Sequence, residues 1–147
     1  MGESQTNELL DAMRALQTAL DRHDFAVSAA RSIGRSDWRC LQALVAAGGL
    51  SPRAIQQELG LTSGSVTALI DRLEDRHLVA RRPDPADRRA IRVEPLEAAH
   101  RLVVDASVSL FETTDRLSER WGGERTRSTR QACHDLARLV EWASQRV

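Results

Sequence analysis

The stretch from Thr62 to Val93, TSGSVTALIDRLEDRHLVARRPDPADRRAIRV, restricts the fold more than any other. Its first half places Val66, Leu69, Ile70 and Leu73 at i, i+3, i+4 and i+7, which gathers the apolar side chains on one stripe of an α-helix. Ser63, Ser65, Thr67, Ala68, Asp71 and Arg72 fall outside that stripe, and most are short enough for the helix backbone to approach another surface closely. The second half reads as strand, turn, strand. Leu78 to Arg82 and Ala90 to Val93 flank PDPADRR, whose prolines and aspartates supply turn chemistry and whose arginines put charge at the tip. Upstream, Ser51 and Pro52 read as an N-cap followed by proline at the first helical position, Ile55 and Leu59 lie four apart, and Gly60 marks a helix stop. Thr62 or Ser63 then caps the next helix. A short helix, a tight connection, a second helix and a hairpin make a winged helix-turn-helix, a shape suited to reading nucleic acid.

Composition narrows the setting. With 147 residues and 41% hydrophobic content the chain can build one domain, residues 1–147, with a core made of leucine, valine and alanine because only 3% is aromatic. The formal net charge is zero, which argues against coating nucleic acid by bulk charge. Locally the balance differs: from Arg76 to Val93 six arginines face two aspartates, a net charge of +4. All 21 basic residues are arginine, whose planar fork suits phosphate and guanine. The N-terminus lacks the pattern of a signal peptide and no run of 18 apolar residues occurs, so the expectation is a cytoplasmic protein with no membrane span. Cys40 and Cys133 form no CxxC pair and read as buried thiols; His23, His77, His100 and His134 show no ligand spacing, so no metal is expected. No nucleophile, base or carboxylate pair clusters, so no catalytic site, cofactor or enzyme activity is expected.

The flanks are helical. Leu9, Met13, Leu16 and Leu20 give a narrow stripe in a helix from about 7 that ends near Gly34. Ser36 reads as the N-cap of the next helix, with Trp38, Leu41, Leu44 and Val45 on its buried side and Gly48-Gly49 closing it. After the winged segment, about 36–93, two helices run from 96 to about 120 and from 124 to 146, parted by Gly122-Gly123. These terminal helices carry more apolar surface than the winged segment can cover. A homodimer with interleaved ends absorbs the surplus; the alternative is a monomeric bundle folded back on itself.

This order of elements, with SPRAIQQELGLTSGSVTALIDRLEDRHLVAR and the wing RRPDPADRRAIRV, resembles the MarR (multiple antibiotic resistance regulator) family of bacterial transcription factors over essentially the whole chain. Asp87, Arg88 and Arg89 in the context D-P-x-D-R-R are its most specific part. The resemblance implies a mainly α fold with a small β-wing, the winged helix-turn-helix being flanked by N- and C-terminal dimerisation helices. It further implies a homodimeric repressor, sometimes an activator, on a pseudo-palindromic double-stranded operator, released by a small molecule or, in some members, by cysteine oxidation. Two positions depart from the family pattern: Pro95-Leu96 and Ala99 replace a Leu-Thr pair and a glycine, leaving Glu94 as a substitute helix start, and Ala68 stands where some relatives carry arginine.

In this reading Ser63, Ser65, Thr67 and Arg72 meet the major groove, hydroxyls on phosphates or base edges and Arg72 on a guanine. The competing role for Arg72 is an i, i+3 pair with Asp75. Arg88 and Arg89 occupy the wing tip, one of them entering the minor groove, while Asp87 accepts bonds from Arg89 to hold the hairpin; the competing role for all three is a solvated turn. By resemblance, an effector site lies between the terminal helices and the winged segment. His23, Phe25, Trp38 and Arg39 are candidates to line it for a small aromatic or lipophilic anionic effector, against ordinary packing for each. Cys40 is either a redox sensor or an inert buried thiol. Rivals keep the fold: a DNA-binding regulator without effector, or the dimerisation module of a methyltransferase, the latter opposed by the absence of a glycine-rich cofactor loop.

Overall fold

The computed structural model describes residues 2–146 except Ala86 and Arg88, with side chains from Ser4 onward. The order is α1 (Gly2–Ala30), α2 (Arg35–Ala47), α3 (Pro52–Leu59), α4 (Ser63–Asp75), β1 (Val79–Pro83), β2 (Ile91–Pro95) and α5 (Glu97–Ser144). The fold class is thus mainly helical with a two-stranded antiparallel wing, as the hydrophobic periodicity requires. Two compact units divide the chain, Met1–Ala106 and Ser107–Val147.

The core of the first unit forms where the stripes of α2, α3 and α4 meet the base of the wing. Trp38, Leu41, Leu44, Ile55, Val66, Leu69, Ile70, Leu73, Val79 and Val93 are all buried. Each such side chain contributes about 1.5–3 kcal/mol. The four apolar residues of α4 spaced at helical intervals are all in this set, so burial of that stripe fixes which face of α4 is turned outward.

Local chemistry sets the element ends. Ser51 caps α3 by accepting from Ala54 N with Pro52 in the first turn, and Gly60 ends it in the left-handed region at φ 65°. Thr62 caps α4, its hydroxyl accepting from Ser65 N at 3.3 Å. Two expected starts are corrected. The N-cap of α2 is Gly34, so Ser36 falls inside the first turn, and the cap makes no side-chain hydrogen bond. Glu94 belongs to strand β2; α5 starts after Leu96, whose carbonyl accepts from Ala99 N and His100 N, and Glu97 supplies the negative charge that suits a helix N-terminus.

Helices α1 and α4 end alike. Ser32 and His77 take positive φ, 52° and 56°, and the amides that follow reach back to close the turn: Ile33 N to Ser28 O at 2.9 Å, Leu78 N to Leu73 O at 3.0 Å. The wing pairs Val79 with Pro95, Arg81 with Val93 and Arg82 with Arg92. Leu50 joins as a one-residue third strand, exchanging both backbone bonds with Val93 at 3.0 and 2.8 Å. That close approach uses Gly49 at φ 124°, where a Cβ would lie 2.8 Å from Arg92 Nε and 3.0 Å from Val93 O.

The second unit is helical and interrupted at Gly122, whose φ of 73° and ψ of 168° are incompatible with helix. The break falls where the glycine pair marks it in the sequence, and the Thr126 hydroxyl donates to Gly122 O at 2.9 Å. Among the described residues from 107 to 146 none is buried. No helix is long and apolar enough to cross a membrane among the described residues.

Candidate nucleic-acid interface

Outside its buried stripe, α4 shows Ser63, Gly64, Ser65, Thr67, Ala68, Asp71 and Arg72, all exposed. The first turns are narrow and hydroxyl-bearing. Ser65 Oγ lies 2.8 Å from Thr62 Oγ1 and Thr67 Oγ1 donates to Ser63 O at 3.1 Å. These local bonds hold the rotamers while leaving hydroxyl lone pairs for outside donors. Ser63, Ser65 and Thr67 are all exposed in the first turns of α4.

Arg72 is placed differently from the sequence expectation. Its Nε donates to Asp37 Oδ2 at 3.0 Å and its Nη2 to Asp37 Oδ1 at 2.6 Å, a two-pronged pair between α4 and the first turn of α2. The Asp37 side chain is only 11% exposed, so the guanidinium offsets a carboxylate largely removed from water. The hydrogen bond to Asp37 raises the Arg72 pKa above its ordinary value. The partner of this side chain is thus Asp37 rather than Asp75. The sequence offered no signal for the partner, because the two residues are 35 apart and obey no helical period.

Two further arginines of the charged stretch are engaged by other parts of the fold. Arg81, on β1, donates through its guanidinium to Glu74 and, at 2.6 Å, to Asp71 Oδ1, and its backbone N donates to Glu74 Oε1 at 2.9 Å. Partial burial works against the charged form, but the bonds to Asp71 and Glu74 outweigh it and raise the Arg81 pKa. This network ties wing to helix. It also neutralises two carboxylates that would otherwise repel phosphates from the face of α4. Arg76 donates to Ser32 O at 2.7 Å and to Arg31 O at 3.2 Å. The net +4 counted along the sequence is thus partly spent inside the fold.

Among the described residues of the wing, Arg82 and Arg89 are exposed and Arg92 is half-buried. Arg82 pairs directly with Arg92 across the strands, a like-charge neighbourhood that is unfavourable without an anion nearby. The sequence motifs single out neither of them; strand alternation, which places 82 and 92 on the face away from Val79 and Val93, is the signal that identifies them. At the tip Asp87 accepts from the backbone N of Arg89 at 2.9 Å, and Ala90 N donates to Asp87 O at 2.8 Å. Asp87 thus shapes the turn through the Arg89 backbone. Arg88 lies outside the described residues.

The four residues expected around an effector differ in their settings. Trp38 is 2% exposed and donates through Nε1 to Asp24 at 3.1 Å, which makes it core, while Arg39 is turned to solvent on the same helix. His23 is half-buried; Phe25 is exposed and borders an open recess of about 310 Å³ with Thr18, Asp21, Arg22 and Arg35. Cys40 is buried, and burial first, then the Asp37 charge, pushes its thiol pKa up to about 12. Burial and the raised pKa favour the inert buried thiol over the redox sensor for Cys40. Cys133 is exposed, contrary to the expectation of two buried thiols. No group of three or more metal-ligating side chains occurs among the described residues.

The helix pair, the outward small-residue face and the arginine-bearing hairpin define a winged helix-turn-helix protein. Residues 32–90 match the model of the MarR family. An uncharacterized HTH-type transcriptional regulator, YcgE of Bacillus subtilis, is 38% identical over 92 residues, which span 61% of this chain and 60% of that relative. A MarR family protein from Bacillus stearothermophilus superimposes with a TM-score of 0.80 at 21% identity, over 96% of this chain and 99% of the other. NadR, solved in complex with 4-hydroxyphenylacetate, gives a TM-score of 0.63 at 22% identity, over 88% of this chain and 89% of its own. The winged helix-turn-helix segment, residues 32–90, is thus similar to the MarR family.

Proposed function

We propose that the chain is a sequence-specific, DNA-binding transcriptional repressor that acts as a homodimer on a pseudo-palindromic operator. The observation that carries this is the outward face of α4, small and hydroxyl-bearing, held against a hairpin whose Arg82 and Arg92 stand opposite one another. Ser63, Ser65 and Thr67 enter the major groove. One of Arg88 and Arg89 enters the minor groove from the wing tip, and Arg82 and Arg92 follow the phosphates. Arg72 and Asp87 serve by holding the helix and the turn, so the arginine expected to read a guanine supports the reader instead.

Twofold pairing is supported by the second unit, which buries none of its described residues and shows Phe111, Leu139, Val140 and Trp142 to solvent. Helices with no buried apolar surface cannot offset the entropy of ordering them, and a second copy of the same surface supplies the missing partner. An aromatic anion as effector is supported by the fold shared with NadR, whose structure holds 4-hydroxyphenylacetate.

The test is binding of the purified protein to DNA from its own upstream region, followed by anisotropy as salt is raised. With six neutralised phosphates, affinity falls about 1000-fold between 50 and 200 mM salt. Arg82→Ala lowers the slope of log K against log salt by about one, the share of a single phosphate. A wild-type affinity that ignores salt, or an unchanged slope in the variant, removes the wing arginines from the mechanism.

A further inference from the structure

Helix α1 packs on α2, and α4 packs on α2, α3 and β1. A direct polar bridge between the end of α1 and α4 is made by Arg76. As the C-cap of α4, it sends Nη1 to Ser32 O at 2.7 Å and Nη2 to Arg31 O at 3.2 Å. Those carbonyls follow α1 at its C-terminal end, where the helix dipole is negative and where Ser32 holds a left-handed φ of 52° that costs a non-glycine residue about 1 kcal/mol. One turn earlier on the same flank of α4, Arg72 forks onto Asp37 in the first turn of α2. Two guanidinium groups therefore grip the α1–α2 turn from both sides.

The other end of the connection is equally firm. Asp24 of α1 accepts from Trp38 Nε1 at 3.1 Å and from Gln42 Nε2 at 3.2 Å, both on α2. Helix α1 itself leaves Leu9, Leu10, Leu16 and Leu20 between 42% and 56% exposed, an apolar face available to the second copy. A shift of α1 imposed by its partner thus reaches α4 through hydrogen-bonded groups.

We propose that Arg76, backed by the Arg72–Asp37 fork, is a positioning device that transmits the placement of α1 in the dimer to α4 and so sets the half-site spacing the dimer accepts. This rests on the chain being a dimeric DNA reader. Successive grooves on one face recur about every 34–36 Å, and one added base pair moves a half-site by about 3.4 Å and turns it by about 34°. Discrimination between spacings therefore needs a stiff link from dimer surface to reading helix.

The experiment uses full-length protein and an operator selected from random duplex DNA by the wild type. Affinity is measured on that operator and on versions with one base pair added or removed at its centre, for wild type, Arg76→Ala, Arg76→Lys and Asp37→Asn. Oligomeric state and Tm are measured alongside. The wild type is expected to bind each altered spacing about tenfold or more weakly. Arg76→Ala is expected to bind the three operators within about threefold of one another while remaining dimeric, with Asp37→Asn in between. Arg76→Lys, whose single ammonium cannot span both carbonyls as the fork does, keeps the fold if alanine does not and shows the same flattening. A purely structural residue weakens all three operators equally, and an unchanged spacing ratio in both Arg76 variants overturns the proposal. If the wild type selects no sequence or is monomeric, the underlying reading fails, an outcome distinct from a normal reader with an unaltered ratio.

Discussion

At the scale of single residues, three arginines separate what a sequence states from what it withholds. Arg72, Arg76 and Arg81 are as basic as Arg82, Arg89 and Arg92, yet the first three bond to Asp37, to the end of α1 and to Asp71 with Glu74. Charge counting cannot tell these groups apart. Their partners stand 35, 44 and 10 residues away, outside any helical or strand repeat. Cys40 illustrates the opposite case, since its place beside Leu41 and Leu44 on the apolar side of α2 already marks a buried thiol. Its pKa, raised from 9.0 to about 12, yields a prediction: iodoacetamide at pH 8 modifies Cys133 in the native protein and reaches Cys40 only in denaturant. Equal labelling of both thiols, read by peptide mass spectrometry, would sink it. The sign for stability follows from linkage. The folded state keeps the proton that the unfolded chain gives up, so the contribution is complete below pH 9 and is lost as pH climbs from there through about 12.

At the scale of elements, most of the architecture was legible. The i, i+3, i+4, i+7 stripe of α4 is buried residue for residue, the Ser51-Pro52 start and Gly60 stop of α3 are realised, and the helix break falls at Gly122. Elsewhere a local rule yielded to tertiary geometry. Gly34 rather than Ser36 begins α2 because the chain must turn sharply after Ser32, and Glu94 is held in the strand by its pairing with Ala80. The seam between α2 and the wing gives a further prediction. Gly49 combines a φ of 124° with a Cβ position that would collide with Arg92 and Val93. Gly49→Ala is expected to cost about 2 kcal/mol or more. In a chain of this size that lowers Tm by about 5 °C, measurable by calorimetry. Gly48→Ala, at φ 67° with nothing within 4 Å of its Cβ, costs about 1 kcal/mol. The two variants melting together would show that the close approach of Gly49 to the wing contributes nothing.

At the scale of the molecule, exposed apolar surface is the feature that needs an explanation. Phe111 is 74% exposed and Leu139 60%, in a unit with no buried residue among those described. Such a pair of helices has no core of its own, so in the proposed dimer pairing with a second copy and local folding become one equilibrium. Leu139→Asp is expected to shift the protein from dimer to monomer in sedimentation velocity at micromolar concentration and to lower operator affinity at least about tenfold, because the two readers no longer bind as one. A wild type that sediments as a monomer would end this account. One detail of the hairpin also gains meaning at this scale. Arg82 faces Arg92 across the strands, a like-charge pair whose repulsion a polyanion laid along the wing relieves. In the proposed reading the duplex is therefore more than cargo for this strand pair: it also completes the electrostatics of the hairpin that holds it.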